Sequence, residues 1–287
     1  MIGTHGVKMA NAAVNECDVL FLVGARVGDR AVKTPLALEK TTKIIHIDID
    51  PAEIGKNIGA DLPLVGDAKL VLQQMTELAK PMKHDEWIAH IKTLGGERKY
   101  VEPAKGTVNP RVFIDRLAKK MPANVTVVAD VGQNQIWTCT EYKFRKEGRL
   151  LTSGGMGTMG YSVPAAIGAK MADNSRATVA ICGDGAFQMS FMELATAVQF
   201  GVDIKVVVMT NNRLGMVREL QTNGYHDRQT AVFLDGSPDF IKLAEAYGIP
   251  AMRVYDDDTM EKGVEMLAEH KGICLVEVVV DKDMPTL

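Results

Sequence analysis

The sequence predicts an α/β fold, a doubly wound and mostly parallel sheet preceded by part of a second α/β domain. Three observations predict it. Short β-branched apolar runs alternate with longer segments of helical period, the pattern that pairs parallel strands with crossover helices. The chain has 287 residues, 46% of them apolar and 24% charged, enough to bury a sizeable core in one large or two ordinary domains. The residues with most chemical promise fall at or near the carboxyl ends of the strands, where such sheets bind ligands.

The first segment, about 1–80, reads as a helix over Val7–Glu16 and a strand over Asp18–Val23 ending at Gly24. A second strand, Lys43–Ile49, is stopped by Asp50-Pro51, and helical spacing returns over Asp67–Ala79. Two strands are fewer than a stable α/β domain usually has. The segment is therefore expected to be the back part of a domain. Residues 81–108 are polar, carry Gly95-Gly96, Pro103 and Gly106, and read as a linker with a short helix near Trp87–Leu94. The alternation is complete over 109–287. Helices are expected over Arg111–Lys120, Ser162–Met171, Ala186–Phe200, Pro238–Tyr247 and Thr259–His270. Strands are expected over Val125–Ala129, Ala177–Cys182, Ile204–Met209, Ala251–Tyr255 and Ile273–Val280. Gly201 and Gly248 suit helix ends, and Pro164 suits a first turn. Asp256-Asp257-Asp258 reads as a solvated turn capping the helix at Thr259, not as a metal site.

Composition excludes several classes. The net charge is −3 with both signs interspersed, which argues against a nucleic-acid surface or a polybasic membrane anchor. No apolar run approaches the ~20 residues of a membrane span, and the first residues lack the pattern of a signal peptide. Cys17, Cys139, Cys182 and Cys274 are dispersed, without a C-x-x-C pair. Reduced, mostly buried thiols and a cytoplasmic setting are expected. His46, within a strand, reads as a packed histidine, and most of the 16 methionines as core filler.

The strongest chemical signal is Gly183-Asp184-Gly185, after a strand and at the start of a helix. Gly185 lets a phosphate approach the backbone, and the N–H groups of the following turn favour an anion. Asp184 offers a hard carboxylate oxygen suited to Mg²⁺. Asn211 follows Asp184 by 27 positions, one helix and one strand later. Neighbouring parallel strands would then bring the two side chains to one metal. Alone, Gly-Asp-Gly is an ordinary turn and Asn211-Asn212 an ordinary cap; the spacing is what makes them informative.

These residues resemble the thiamine diphosphate enzyme family, whose pattern is Gly-Asp-Gly followed some two dozen residues later by Asn-Asn. The closer resemblance is to acetolactate synthase (acetohydroxyacid synthase) large subunits. It is carried by Val131-Gly132-Gln133-Asn134-Gln135-Ile136-Trp137, Gly154-Gly155-Met156-Gly157-Thr158-Met159-Gly160-Tyr161, Leu214-Gly215-Met216-Val217, and more weakly by His5-Gly6 and Gly24-Ala25-Arg26. The resemblance implies Mg²⁺ held by the side chains of Asp184 and Asn211 and by the carbonyl of Arg213. It implies cofactor contacts at Gly132, Gln133, Asn134, Gly157, Met159, Gly183, Gly185, Ala186, Gly215 and Met216, and a substrate cavity lined by Met216, Val217 and Leu220. The family has histidine at Asn134, tryptophan at Leu220 and its first asparagine at Thr210. Counting instead from Asn-Asn would make Asn212 the ligand; Asn211 keeps the spacing on both sides. FAD contacts at Arg26, Asp48 and Asp67 are implied in the first segment.

Gly155-Met156-Gly157-Thr158-Met159-Gly160 also fits the dinucleotide pattern G-x-G-x-x-G and precedes a helix. That reading leaves Asn211 unexplained, and the stretch before Gly154 is a poor buried strand.

The implied activity is decarboxylation of pyruvate and its condensation with a second 2-oxoacid, in branched-chain amino acid biosynthesis. No glutamate here matches the family's activating acid, which belongs to an N-terminal pyrimidine-binding domain, so no catalytic residue is expected in this chain. The expected partners are a homodimer or larger assembly, or a chain carrying the pyrimidine domain, with a regulatory subunit as a further one. The alternatives are an inactive cofactor-binding remnant, or another thiamine diphosphate enzyme such as a pyruvate oxidase or a glyoxylate carboligase.

Overall fold

The computed structural model describes residues 1–96 and 100–286. Residues 97–99, inside the expected linker, and Leu287, at the end of the expected 109–287 domain, lie outside the described residues. The chain divides into two compact units, Met1–Arg98 and Lys99–Leu287.

The first unit carries α1 (Lys8–Glu16), β1 (Val19–Val23), α2 (Pro35–Leu38), β2 (Lys43–Asp48), β3 (Leu62–Val65), α3 (Ala68–Leu78) and α4 (Asp85–Thr93). The three strands form a parallel sheet in the order β1-β2-β3. The two-strand expectation is thus corrected. β3 has only four residues and contains Pro63, which cannot donate to a ladder and suits an edge strand. Asp67 caps α3 by accepting from the Leu70 N–H at 3.1 Å. The helix expected near Trp87 forms as α4, and its His90 meets Glu16 of α1 at 2.6 Å. Leu22, Ile44, Leu38 and Ile58 make a small core. His46 is buried in the central strand with neither ring nitrogen hydrogen-bonded.

The second unit begins with α5 (Pro110–Lys120), capped by Asn109, whose side-chain oxygen accepts from the Arg111 and Val112 N–H groups. It continues with β4 (Thr126–Ala129), α6 (Gln133–Glu141), β5 (Arg149–Thr152), α7 (Ser162–Ala172), β6 (Thr178–Gly183), α8 (Asp184–Gln188), α9 (Leu194–Gln199) and β7 (Lys205–Thr210). Then follow α10 (Gly215–Gly224), α11 (Phe240–Ala246), β8 (Ala251–Val254), α12 (Asp257–Glu269) and β9 (Cys274–Val279). The acidic run caps this last helix as expected, through Asp256 in a capping box with Thr259, but Asp257 and Asp258 already lie in its first turn.

The sheet order is β5-β4-β6-β7-β9-β8, every pair parallel. The chain goes from β4 to one side and then returns to β6 on the other. A crevice therefore opens between the carboxyl ends of β4 and β6. Successive strand residues face opposite layers. Val127, Val179, Ile181 and Val207 pack with Phe113, Leu117, Trp137 and Leu267 of α5, α6 and α12. Val128, Ala180, Val206 and Val208 pack with Val163, Phe187, Leu194 and Phe240 on the other face. Burial on both faces explains why these strands are continuous apolar runs.

Two further expectations change. The single helix over Ala186–Phe200 is instead α8, a 3-10 turn at Phe191–Glu193, and α9. The chain bends at Met189-Ser190, and Phe187 and Phe191 both point to the core side. The stretch before Gly154 does form a strand, β5. It is an edge strand with Arg149 exposed and the other three residues only partly buried, so no buried run marks it. No helix among the described residues is long and apolar enough to cross a membrane. The four cysteines are free; Cys182 and Cys274 are buried, whereas Cys17 and Cys139 are only partly so.

Candidate functional site

Three strand ends build one cleft. The first is the end of β4. Asp130 follows it directly, fully buried, and its backbone N–H donates to Ile181 of β6. Its carboxylate accepts from the N–H groups of Val131 (2.9 Å), Gly160 (3.0 Å) and Ser162 (2.7 Å). That last pair satisfies the start of α7 from inside the protein. The N–H groups of Gly157 and Thr158 donate to Ser153, one to its carbonyl and one to its hydroxyl. Three donors of the glycine loop 155–160, the N–H groups of Gly157, Thr158 and Gly160, are therefore occupied within the protein. The chain next turns at Gly132 with φ 144°, and α6 starts with Gln133 and Asn134. A side chain at 132 would strike Asn134 Oδ1 at 2.6 Å as well as strain the backbone.

The second strand end is that of β6, where Asp184 opens α8. The Asp184 side chain is buried, and it accepts three backbone N–H groups: Gly185 at 2.8 Å, Asn211 at 3.1 Å and Asn212 at 2.6 Å. Burial raises its pKa to about 6, against the pull of those three donors toward lower values. A desolvated carboxylate of this kind is stabilised by a cation.

The third is the end of β7. Asn211 follows Thr210, and its side chain lies between two partners. Its Nδ2 donates to Gln133 Oε1 at 3.2 Å, and its Oδ1 accepts the Arg213 N–H at 3.1 Å. Asn212 adopts φ 53°, tolerated by asparagine, and its side chain is exposed. Asn211 lines the cleft and Asn212 does not. The Arg213 guanidinium points away, onto Asp235 at 2.8 Å and over the Phe233 ring. The adjacent antiparallel bridge uses Leu214 N–H to Val232 O and Leu234 N–H to Asn212 O, so it leaves the Arg213 carbonyl out. Asp184, Asn211 and Arg213 all border the cleft, and a carboxylate, an amide oxygen and a main-chain carbonyl are hard-oxygen donors of the type Mg²⁺ takes. Among the described residues there is no group of three or more His, Cys, Asp and Glu able to hold a metal.

The resulting cleft, about 580 Å³ with its open mouth, is lined by most of the residues expected from sequence. Gly132, Gln133, Asn134, Met159, Gly183, Asp184, Gly185, Ala186, Asn211, Arg213, Gly215, Met216 and Val217 all border it. Gly157 does not, and Leu220 does not: it is 58% exposed on the outer face of α10. Asn134 borders the cleft but its Nδ2 is committed to the carbonyls of Asp130 (2.8 Å) and Ile181 (3.2 Å), tying β4 to β6. Gly215 is required by close approach, because a Cβ there would lie 1.9 Å from Gln133 Oε1.

Sequence reasoning missed Trp137, Val280 and Met209 as cleft walls. Trp137 was findable: it lies four residues after Gln133 on one helix face. It also missed Glu219, which accepts from Gln133 Nε2 at 3.2 Å. In the first unit, Arg26, Asp48 and Asp67 lie at or just beyond the carboxyl ends of β1, β2 and β3. Asp48 accepts the Asp50 N–H and Asp67 caps α3, so both carboxylates already have local work.

Residues 130–278 match the family described as thiamine pyrophosphate enzyme, C-terminal TPP binding domain. Residues 1–75 match thiamine pyrophosphate enzyme, central domain. Similar curated proteins include a probable acetolactate synthase large subunit of Methanocaldococcus jannaschii, 39% identical over 98% of this chain and 49% of that protein. The acetolactate synthase large subunit of Lactococcus lactis is 36% identical over 98% of this chain and 49% of its own length. The acetolactate synthase isozyme 2 large subunit of Escherichia coli is 36% identical, over 98% and 51%. The chain spans about half the length of the curated relatives it matches.

Proposed function

This chain belongs to the thiamine pyrophosphate enzyme family, and from that premise we propose that it is the central and C-terminal portion of an acetolactate synthase large subunit. Its proposed reaction is decarboxylation of pyruvate and transfer of the two-carbon unit to a second 2-oxoacid, with thiamine diphosphate and Mg²⁺. The observation that carries the reading is the buried Asp184 carboxylate facing Asn211 at adjacent strand ends, 3.1 Å from the Asn211 N–H.

The donor set fits the metal: Asp184 and Asn211 by side-chain oxygen, Arg213 by its carbonyl. When bound, thiamine diphosphate supplies the electron sink that decarboxylation of a 2-oxoacid requires. The chain's own residues would anchor and shield it. Gly132, Gly183, Gly185 and Gly215 keep the wall bare so that a diphosphate can reach the backbone. Met159, Met216 and Val217 offer an apolar surface that keeps water from the reacting end. Gln133 and Asn134 hold the strand ends in register, Asn134 through carbonyls of β4 and β6. Asp184 and Arg213 are the ionisable residues bordering the cleft, and Asp184 is assigned to the metal. Proton transfer is assigned in this proposal to a pyrimidine-binding domain outside residues 1–287, and a dimer or a partner chain is part of the proposal, along with a cytoplasmic setting.

FAD contacts at Arg26, Asp48 and Asp67, at or just beyond the carboxyl ends of β1, β2 and β3, are part of the proposal; no step is assigned to a flavin.

Calorimetric titration of thiamine diphosphate with and without Mg²⁺, on wild type and Asp184→Ala, tests the reading. Metal-dependent binding lost in the variant supports it. Pyruvate turnover on adding a pyrimidine domain would extend it to the activity. A well-folded wild type that takes up NADH instead would overturn it.

A further inference from the structure

We propose that Glu219 and the C-terminal segment 281–286 act as positioning elements for Asn211, working through Gln133. The inference rests on the reading of Asn211 as a metal ligand and adds a control on it.

The geometry is a relay of hydrogen bonds. Gln133 is 4% exposed. Its Nε2 faces three acceptors: Glu219 Oε2 at 3.2 Å, the Met284 carbonyl at 3.0 Å and Thr286 Oγ1 at 3.1 Å. The Thr286 hydroxyl in turn donates to Glu219, and the Thr286 N–H donates to both Glu219 oxygens at 3.1 and 3.2 Å. Trp137 Nε1 donates to the Pro285 carbonyl at 3.2 Å, and Arg111 donates to the Thr286 carbonyl at 2.9 Å. The segment is thus held along α5, α6 and α10 at the cleft's edge.

The relay has a direction. A primary amide has a donor end and an acceptor end, and the neighbours decide which way it faces. A carboxylate and a carbonyl on one side hold the Gln133 Nε2 toward the C-terminal segment. Its Oε1 must then face Asn211, where it accepts the Nδ2 proton at 3.2 Å. That contact and the Arg213 N–H, which donates to Oδ1 at 3.1 Å, together fix the Asn211 amide with Oδ1, the end a metal needs, away from Gln133. Rotating Gln133 would set two NH₂ groups against each other, and Asn211 could answer only by turning its nitrogen toward the Arg213 N–H and the proposed metal. Glu219 and the segment therefore reinforce the polarity of a candidate ligand that they do not touch.

Partners of this kind behind a metal ligand are worth 10–100-fold in metal affinity. Two readouts test the relay on the whole chain. The first is Mn²⁺ binding in the presence of thiamine diphosphate, followed by electron paramagnetic resonance. The second, which needs no ligand, is the ¹⁵N side-chain amide signal of Asn211. Glu219→Ala, one hydrogen bond further out than Gln133, is expected to weaken Mn²⁺ binding by up to about tenfold and to move the Asn211 signal. Glu219→Gln can still present an oxygen to Gln133 and is expected to restore both. If Glu219→Ala fails to fold, judged by its melting transition, Thr286→Val removes one acceptor and the hydroxyl bond and is read the same way. An Asn211 signal and Mn²⁺ affinity unmoved in the variant would overturn the relay. If wild type binds no Mn²⁺, the proposed function fails, and the Asn211 signal still decides the relay.

Discussion

Removing metal should expose the ionisation of Asp184 as a pH-dependent instability. Burial raises this carboxyl from an ordinary 3.8 to about 6. At about 1.4 kcal/mol per tenfold change, the difference corresponds to about 3 kcal/mol. The sign follows from linkage. A carboxyl whose folded pKa is raised contributes fully below the unfolded value, and the contribution is lost as pH rises through the folded one. The chain stripped of metal should therefore lose up to about 3 kcal/mol from this group between pH 4 and pH 7. For a unit of this size that is up to about 10 °C in the melting temperature. Mg²⁺ with thiamine diphosphate should reverse the loss at pH 7.5 and do little at pH 5, where the proton competes for the same oxygens. The assay is thermal unfolding across pH, with EDTA or with Mg²⁺ and thiamine diphosphate, for wild type and Asp184→Ala. Subtracting the variant isolates this carboxyl from every other titrating group. Identical pH profiles for the two proteins in EDTA, or a ligand shift as large at pH 5 as at pH 7.5, would refute the assignment.

Other substitutions have defined consequences. Gly215→Ala places a Cβ 1.9 Å from Gln133 Oε1; overpacking of this kind costs about 1–3 kcal/mol, visible in urea unfolding, and cofactor affinity should fall with it. Asn134→Ala leaves the Asp130 and Ile181 carbonyls without their side-chain donor and should destabilise the fold by about 1–3 kcal/mol; affinity lost at unchanged stability would instead make Asn134 a direct ligand contact. Phe187→Ala opens the core against Phe191 and Phe240, a loss of about 3–5 kcal/mol in denaturant titration.

Much of this was legible because the information is local. The buried strands β6, β7 and β9 are built on apolar runs, broken in β9 only by Glu277, and the acidic cap before α12 is written in a single side chain. The pairing of Asp184 with Asn211 was readable too, since adjacent parallel strands convert a sequence spacing into proximity. Shorter and more polar elements were not legible. β3 is four residues with a proline, and β5 is an edge strand beginning with an arginine. α6 opens Gln-Asn-Gln, polar residues that tertiary contacts bury. The break between α8 and α9 follows from packing Phe187 and Phe191 on one core, which helical period alone does not demand. The contacts of Gln133 with Thr286 span 153 positions, and no short-range pattern announces them. Leu220 was placed on the substrate cavity by resemblance to a motif, and in this unit its side chain is exposed on α10.

Asp130 has a consequence for how a ligand can lie. Its buried carboxylate takes the N–H groups of Val131, Gly160 and Ser162, so these main-chain donors are spent inside the protein before any ligand arrives. A side chain that does not border the cleft thereby decides which backbone groups beside β4 are left for a ligand.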